Sequence, residues 1–160
     1  MDRLIASTQL LAVLLVGVAA GTFVATQIGQ VRVQKTLGAR DFTLVKHSFE
    51  VAVGGIMPVL VIAAAVSILP VVALSAVSGP RAILVLSMLA LALWVAVIVV
   101  TLVYNAPVNS AAATWDASSP PADWQAMRDK WHFGQTVRTP PAVASFICLA
   151  VSAVWPRLTS

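Results

Sequence analysis

The sequence predicts an all-α fold: a bundle of four transmembrane helices, with a polar amphipathic extension preceding the fourth. Three observations lead there. Of 160 residues, 59% are apolar and 10% charged, whereas a water-soluble domain averages roughly 45–50% apolar and about 25% charged, so the chain lacks the residues needed to cover a water-facing surface. Its ten basic and six acidic residues leave four charge-free intervals, Leu4 to Val31, Val51 to Pro80, Ala82 to Trp115 and Thr139 to Pro156, of 28, 30, 34 and 18 residues. About 20 apolar residues cross a hydrocarbon core, so three intervals span a bilayer and the fourth barely reaches. A polar helical stretch, Ala122 to Val137, runs into that short interval and lengthens it. The whole chain is read as one integral membrane domain with spans at about 4–28, 51–75, 82–104 and 139–156.

Helix 1 is expected from about Leu4 to about Ile28. Its apolar run continues well past signal-peptide length, and although Ala19-Ala20-Gly21 is a small-residue cleavage candidate, it is read as a retained helix. Gly17 and Gly21 have the small-xxx-small spacing that lets another helix approach closely. Helix 2 is expected to begin near Asp41, a side chain suited to capping. Its polar first turns hold Lys46, His47 and Glu50, and its apolar body runs to about Ser75. Pro58 predicts a kink, and Pro70 a kink or an early end. Ser78-Gly79-Pro80 is a short turn, and helix 3, Ala82 to Tyr104, contains neither proline nor glycine. Pro107 disfavours helical geometry at Ala106 and is expected to end that helix. After a loop at Asp116 to Pro121, Ser119-Pro120 offers a cap and a first-position proline. Helix 4 is therefore drawn from about Pro120 to Trp155, with a kink or break at Pro140-Pro141.

The net charge of +4 does not point to nucleic acid, because the basic residues sit in connections rather than in a stripe. Arg32, Lys35, Arg40, Lys46, Arg128, Lys130 and Arg138 fall in connections 1 and 3, against Arg3, Arg81 and Arg157 on the other side. By the positive-inside rule connections 1 and 3 face the cytoplasm, in what is expected to be a bacterial inner membrane. The one cysteine, Cys148, excludes an intramolecular disulfide and a cysteine zinc site.

Polar chemistry concentrates at one end of the bundle. Gln27, Gln30, His47, Glu50, Asn105, Asn109, Arg128, Trp131, His132, Gln135 and Arg138 all lie near connections 1 and 3. At ~100° per residue, Arg128, Trp131, Gln135 and Arg138 share an arc of about 80°, which His132 widens to about 120°. Asp123 and Lys130 lie on the opposite, solvated side. An interfacial belt explains charges and tryptophans at a membrane surface. A shared polar pocket better explains the amides Asn105, Asn109 and Gln135, which need partners where helix ends pack together. His47, Glu50 and His132 also raise two lesser alternatives, a three-ligand non-haem metal site and a His47/His132 haem, although the paired Glu-x-x-His pattern of di-iron bundles is absent from the sequence. No nucleophile triad or phosphate loop is recognisable.

Tyr104-Asn105-Ala106-Pro107-Val108-Asn109, followed by Trp124, Arg128, Trp131 and Thr136-Val137-Arg138-Thr139, resembles the anthrone-oxygenase-like family of four-span membrane proteins, the DUF1772 domain. Asp41-Phe42 and Met57-Pro58 are similar to that family's second-helix pattern. The resemblance implies oxygen insertion at the activated methylene of an anthrone, without an obvious bound cofactor. It carries Asn105, Asn109, Trp131 and Arg138 over as matching positions. One departure stands out: Gln135 occupies the place of a family histidine or asparagine, and this chain's histidine is at His132.

Two functions follow as expectations. One is a membrane oxygenase, a monooxygenase-like oxidoreductase acting on an apolar aromatic or quinone-like molecule. There His47 or His132, or else Glu50, supplies the base. Arg138 and Arg128, with Asn105 and Asn109, stabilise developing charge, and Trp131 and Gln135 complete the substrate-binding set. The alternative is a non-catalytic accessory subunit of a membrane complex, or a small-molecule binder, as a homo-oligomer or with a membrane partner. Transport has little support, since the spans carry no charge and the chain shows no repeat.

Overall fold

A computed structural model describes residues 2–158, with side chains described for 3–154. The backbone of Arg157 is helical, but its side chain lies outside those described. Among the described residues the chain runs α1 (Asp2–Ala25), a wide π turn (Thr26–Gln30), α2 (Val31–Gln34), α3 (Ala39–Val53), α4 (Ile56–Ser78), α5 (Arg81–Val100), a second π turn (Thr101–Asn105), α6 (Ala106–Ala112) and α7 (Trp124–Leu158). Four stretches are long and apolar enough to cross a membrane: Arg3–Gln34, Ile56–Ser78, Arg81–Ala112 and Trp124–Val154. The protein is an all-α integral membrane bundle.

The spans differ from the sequence expectations at their ends, each time for a local reason. The first helix does not stop near Ile28. It passes through the π turn to Gln34, because Val31 and Gln34 on its last turn are buried and held by packing. Helix 2 starts at Ala39 rather than Asp41, after an extended Gly38. Asp41 lies in the first turn and makes no capping bond, though its charge still suits the helix N-terminus. The kink expected at Pro58 is instead a break at Gly54-Gly55, which separates α3 from α4. Pro58 then falls in the first turn of α4, where a missing N–H costs no intrahelical bond. Pro70 does not end α4, which continues to Ser78.

Helix 3 does not end at Asn105-Pro107 either. Ala106 is helical, with φ −61° and ψ −44°, because the preceding π turn resets the hydrogen-bond register and puts Pro107 in the opening turn of α6. The fourth helix begins at Trp124, four residues after the expected Pro120. Pro120 is itself followed by Pro121, which drives it out of helical geometry. In the loop before it, Ser118 donates its backbone N–H and its hydroxyl to Asp116, holding that carboxyl below its usual range. Pro140-Pro141 makes no break: α7 continues to Leu158, packed along α1 on one side and α5 on the other.

The rods form a ring in which α4 and α7 each pack against α1 and α5. Ala12, Val16 and Ala19 of α1 meet Ala64 and Ile68 of α4, Ala90 and Trp94 of α5, and Ala142 and Leu149 of α7 in one core. Trp94 donates its indole N–H to the Val61 carbonyl at 3.0 Å. Of the two spaced glycines, Gly17 lies against Phe146 of α7, where a Cβ would come within 2.9 Å of the ring, while Gly21 meets nothing. Leu10, Leu14, Ile62, Val66, Leu89 and Val99 point outward, as lipid-facing side chains do.

Candidate functional site

A cavity of about 440 Å³ opens at the end of the bundle that holds connections 1 and 3. Phe23 and Thr26 line it from the first rod, Met57 and Val61 from α4, and Ile98 and Thr101 from the third rod. Six chemistry-bearing side chains line it: Gln30 of the first π turn, Lys46 and Glu50 of α3, Asn109 of α6, and Trp131 and Arg138 of α7.

The sequence explains how they meet. Lys46 and Glu50 are four apart on α3 and so share a face. Lys46 Nζ donates to Glu50 Oε1 at 2.9 Å and to Asn109 Oδ1 at 2.6 Å. The same Asn109 oxygen accepts the Trp131 indole N–H at 2.8 Å. Lys46 Nζ also stands 4.6 Å from the centre of the Trp131 ring, a cation–π contact. Lys46 is only 2% exposed. Burial pushes its pKa below the ordinary 10.5, with the nearby Arg138 charge adding to the shift, while the hydrogen bond and charge of Glu50 act the other way.

Arg138 forms the second cluster. Its Nε and Nη2 donate to Gln135 Oε1, and its Nη1 donates to Thr101 Oγ1 at 3.1 Å. Gln135, fully buried, donates its amide to the Phe23 carbonyl at 2.9 Å. The guanidinium carbon lies 4.4 Å from the centre of the Phe23 ring. Thus α7 supplies the charge, α1 a ring and a carbonyl to hold it, and the second π turn a hydroxyl.

Of the residues singled out from sequence, Gln30, Glu50, Asn109, Trp131 and Arg138 line the cavity, and Gln135 stands directly behind Arg138. Asn105 is buried nearby and donates to the Trp131 carbonyl at 3.0 Å, but it is not a lining residue. The others lie elsewhere. His47 faces α6 and donates from Nε2 to the Ala112 carbonyl at 2.6 Å, closing that helix's C-terminal end. His132 is buried on the α2 side, where its Nε2 donates to Gln34 Oε1 at 3.0 Å. Among the described residues its Nδ1 and the Gln34 amide nitrogen have no partner. Arg128 pairs with the exposed Asp129 and stands over Trp124 outside the cavity. His47, Glu50 and His132 are therefore not brought together, and no cluster of three His, Cys, Asp or Glu side chains exists among the described residues.

Sequence reasoning missed Lys46 as a site residue, reading it only as a juxtamembrane charge. Its four-residue spacing from Glu50 was the available signal. Phe23 and Thr101 gave none, since a phenylalanine and a threonine in charge-free runs look like ordinary span residues.

Fold and site together define a four-span membrane protein with a polar-headed, apolar-walled cavity in one end of its bundle. The family model described as anthrone oxygenase matches residues 45–148. The chain belongs to the anthrone oxygenase family. The matched stretch carries the charged groups of the cavity, Lys46, Glu50 and Arg138, together with Asn109 and Trp131, while the lining residues of the first rod, Thr22, Phe23, Thr26 and Gln30, lie outside it. No curated protein and no solved structure matches the chain.

Proposed function

We propose that this protein oxygenates the activated methylene of a planar apolar aromatic, such as an anthrone, inside this cavity. The observation that carries the reading is a largely apolar chamber of about 440 Å³ into which one carboxylate and two cations turn. That volume is within the roughly 300–1,000 Å³ of small-molecule sites. Family membership supports the same reaction class.

Glu50 is the proposed base, because it is the one candidate base from the sequence that lines the cavity. Its carboxylate takes a methylene proton, and the resulting carbanion delocalises onto the ring oxygen, where Arg138 stabilises the charge. The anion passes one electron to O₂, and superoxide joins the methylene carbon as a hydroperoxide. Loss of the second methylene proton with cleavage of the O–O bond then leaves the ketone. One oxygen atom stays in the product and the other departs with the two hydrogens as water. Lys46, held by Glu50 and Asn109, keeps the carboxylate beside the chamber.

An oxygen electrode tests this directly. Purified protein is expected to accelerate O₂ uptake with an anthrone, and Glu50→Gln to lower the rate by about 10²-fold or more. Arg138→Ala is expected to lower it comparably. His132→Ala retains activity if Glu50 is the base. Equal rates with and without protein would retire the proposal. The protein is further proposed to sit in a bacterial cell membrane with connections 1 and 3 in the cytoplasm, supported by their excess of basic residues. A cysteine introduced at Ala117 then reacts with an impermeant maleimide only after cells are broken, and labelling of intact cells reverses the orientation.

A further inference from the structure

The charges around the cavity do not balance. Lys46 is answered by Glu50 at 2.9 Å. Arg138 is not answered: among the described residues the ion pairs are Lys46–Glu50 and Arg128–Asp129, and every partner of its guanidinium is neutral. Those partners are already committed, since Gln135 donates to Phe23 and Thr101 donates to the Val97 carbonyl. Arg138 is only 9% exposed, and the volume beside it is the cavity it lines. A guanidinium has five N–H donors, and two remain beyond the three engaged here. A buried cation without a counter-charge is costly, and a bound anion removes that cost.

The cavity's outer wall adds a second constraint. Phe49, Val53, Ile62 and Leu102 line it and are also exposed on the outside of the bundle, Ile62 and Leu102 by 60% and 62%. The chamber thus borders the hydrocarbon with apolar side chains, while its inner end is positive.

We infer that the cavity takes its ligand as an anion: an apolar body carrying an ionised oxygen group that pairs with Arg138. The inference concerns ligand charge in the ground state. It rests on the cavity being the ligand site proposed above, and not on oxygen transfer. Two sources share the chemistry, an aromatic acid or phenol and the ionised head of a fatty acid or anionic lipid.

The test uses the full chain in phosphatidylcholine nanodiscs under nitrogen, with binding read by fluorescence of two matched probes, anthracene carboxylate and anthracene methanol. The carboxylate is expected to bind about tenfold or more tightly than the alcohol, the equivalent of one charge-assisted hydrogen-bond set. Arg138→Gln removes that preference, and Arg138→Lys retains most of it. Displacement of the carboxylate by oleate, or by phosphatidylglycerol added to the disc, assigns the lipid source. Retention against both assigns the aromatic one. Equal affinity of the two probes for the unaltered protein overturns the inference whether or not Arg138→Gln folds, as does failure of both to bind or a preference that survives Arg138→Gln. Anion preference without O₂ uptake keeps this inference and retires the oxygenase reading; charge-blind binding with O₂ uptake does the reverse.

Discussion

The two ends of the bundle use the same four rods and are held together differently. At the end of Arg3 and Arg81 and into the middle of the bundle, contact is by shape: Ala12, Ala64, Ala90 and Leu149, one from each rod, are wholly buried, and polar links between rods are few. Gln9 donates to Ser152 at 3.2 Å and Ser145 to the Ala90 carbonyl at 2.9 Å, while Ser67 and Ser87 bond within their own helices. At the other end the rods are tied by directional bonds around a void, through Lys46, Asn109, Trp131, Gln135 and Arg138. In lipid the hydrophobic effect gives helices little reason to associate, so close packing and hydrogen bonds do the holding. Because packing holds one end, the other can keep an open chamber with polar groups facing into it.

Four substitutions or titrations break or sharpen that contrast. Leu149→Ala at the packed end is expected to cost about 2–5 kcal/mol, read as a lower unfolding midpoint in mild detergent, with O₂ uptake by the remaining folded protein unchanged. Gly134→Ala should cost about 1–3 kcal/mol, because its Cβ would fall 2.5 Å from Tyr104 Cβ and 2.7 Å from Asn105 Oδ1. That change pushes α7 off the second π turn and weakens stability and turnover together. Asn109→Ala leaves Lys46 and Trp131 without their shared acceptor, for about 1–2 kcal/mol. It is expected to reduce turnover far more than stability, the reverse of Leu149→Ala, and a retained rate would mean that the network is only structural.

The smallest effect is a pH dependence. Lys46 has a folded-state pKa below its ordinary 10.5, so between those two values the unfolded chain binds more protons than the folded one. Stability contributed by this group therefore rises with pH across that window, as burial of the charged form is relieved. Melting curves taken at rising pH up to the ordinary 10.5 should show a gain for the unaltered protein that Lys46→Met lacks. Parallel curves for the two proteins would place the shift elsewhere.

Much of the fold was legible because a charge-free run of bilayer length has few alternatives. Span ends were less so. The two π turns carry Thr26 to Gln30 and Thr101 to Asn105 onward as helix, and a single extra residue in a turn leaves no compositional mark. The Gly54-Gly55 break was masked by the more conspicuous Pro58 beside it. For the site, Trp131, Gln135 and Arg138 of the polar arc on α7 are buried within the bundle. The arc's edges diverged: His132 turns to Gln34 and Arg128 to Asp129.

The sequence by itself determined that the chain is helical, that four stretches are apolar enough to span a membrane, and that polar chemistry gathers near two of the three connections. These follow from composition and helical pitch, which are local. Only the tertiary structure decided which polar side chains share the cavity. That depends on how each rod is rotated against its neighbours, and each π turn inserts one residue and so turns everything beyond it by about 100° relative to an uninterrupted helix. Lys46 became a buried partner of Asn109 and Trp131, and Arg138 a buried cation facing an apolar chamber, through contacts made 63 and 37 residues apart in the chain.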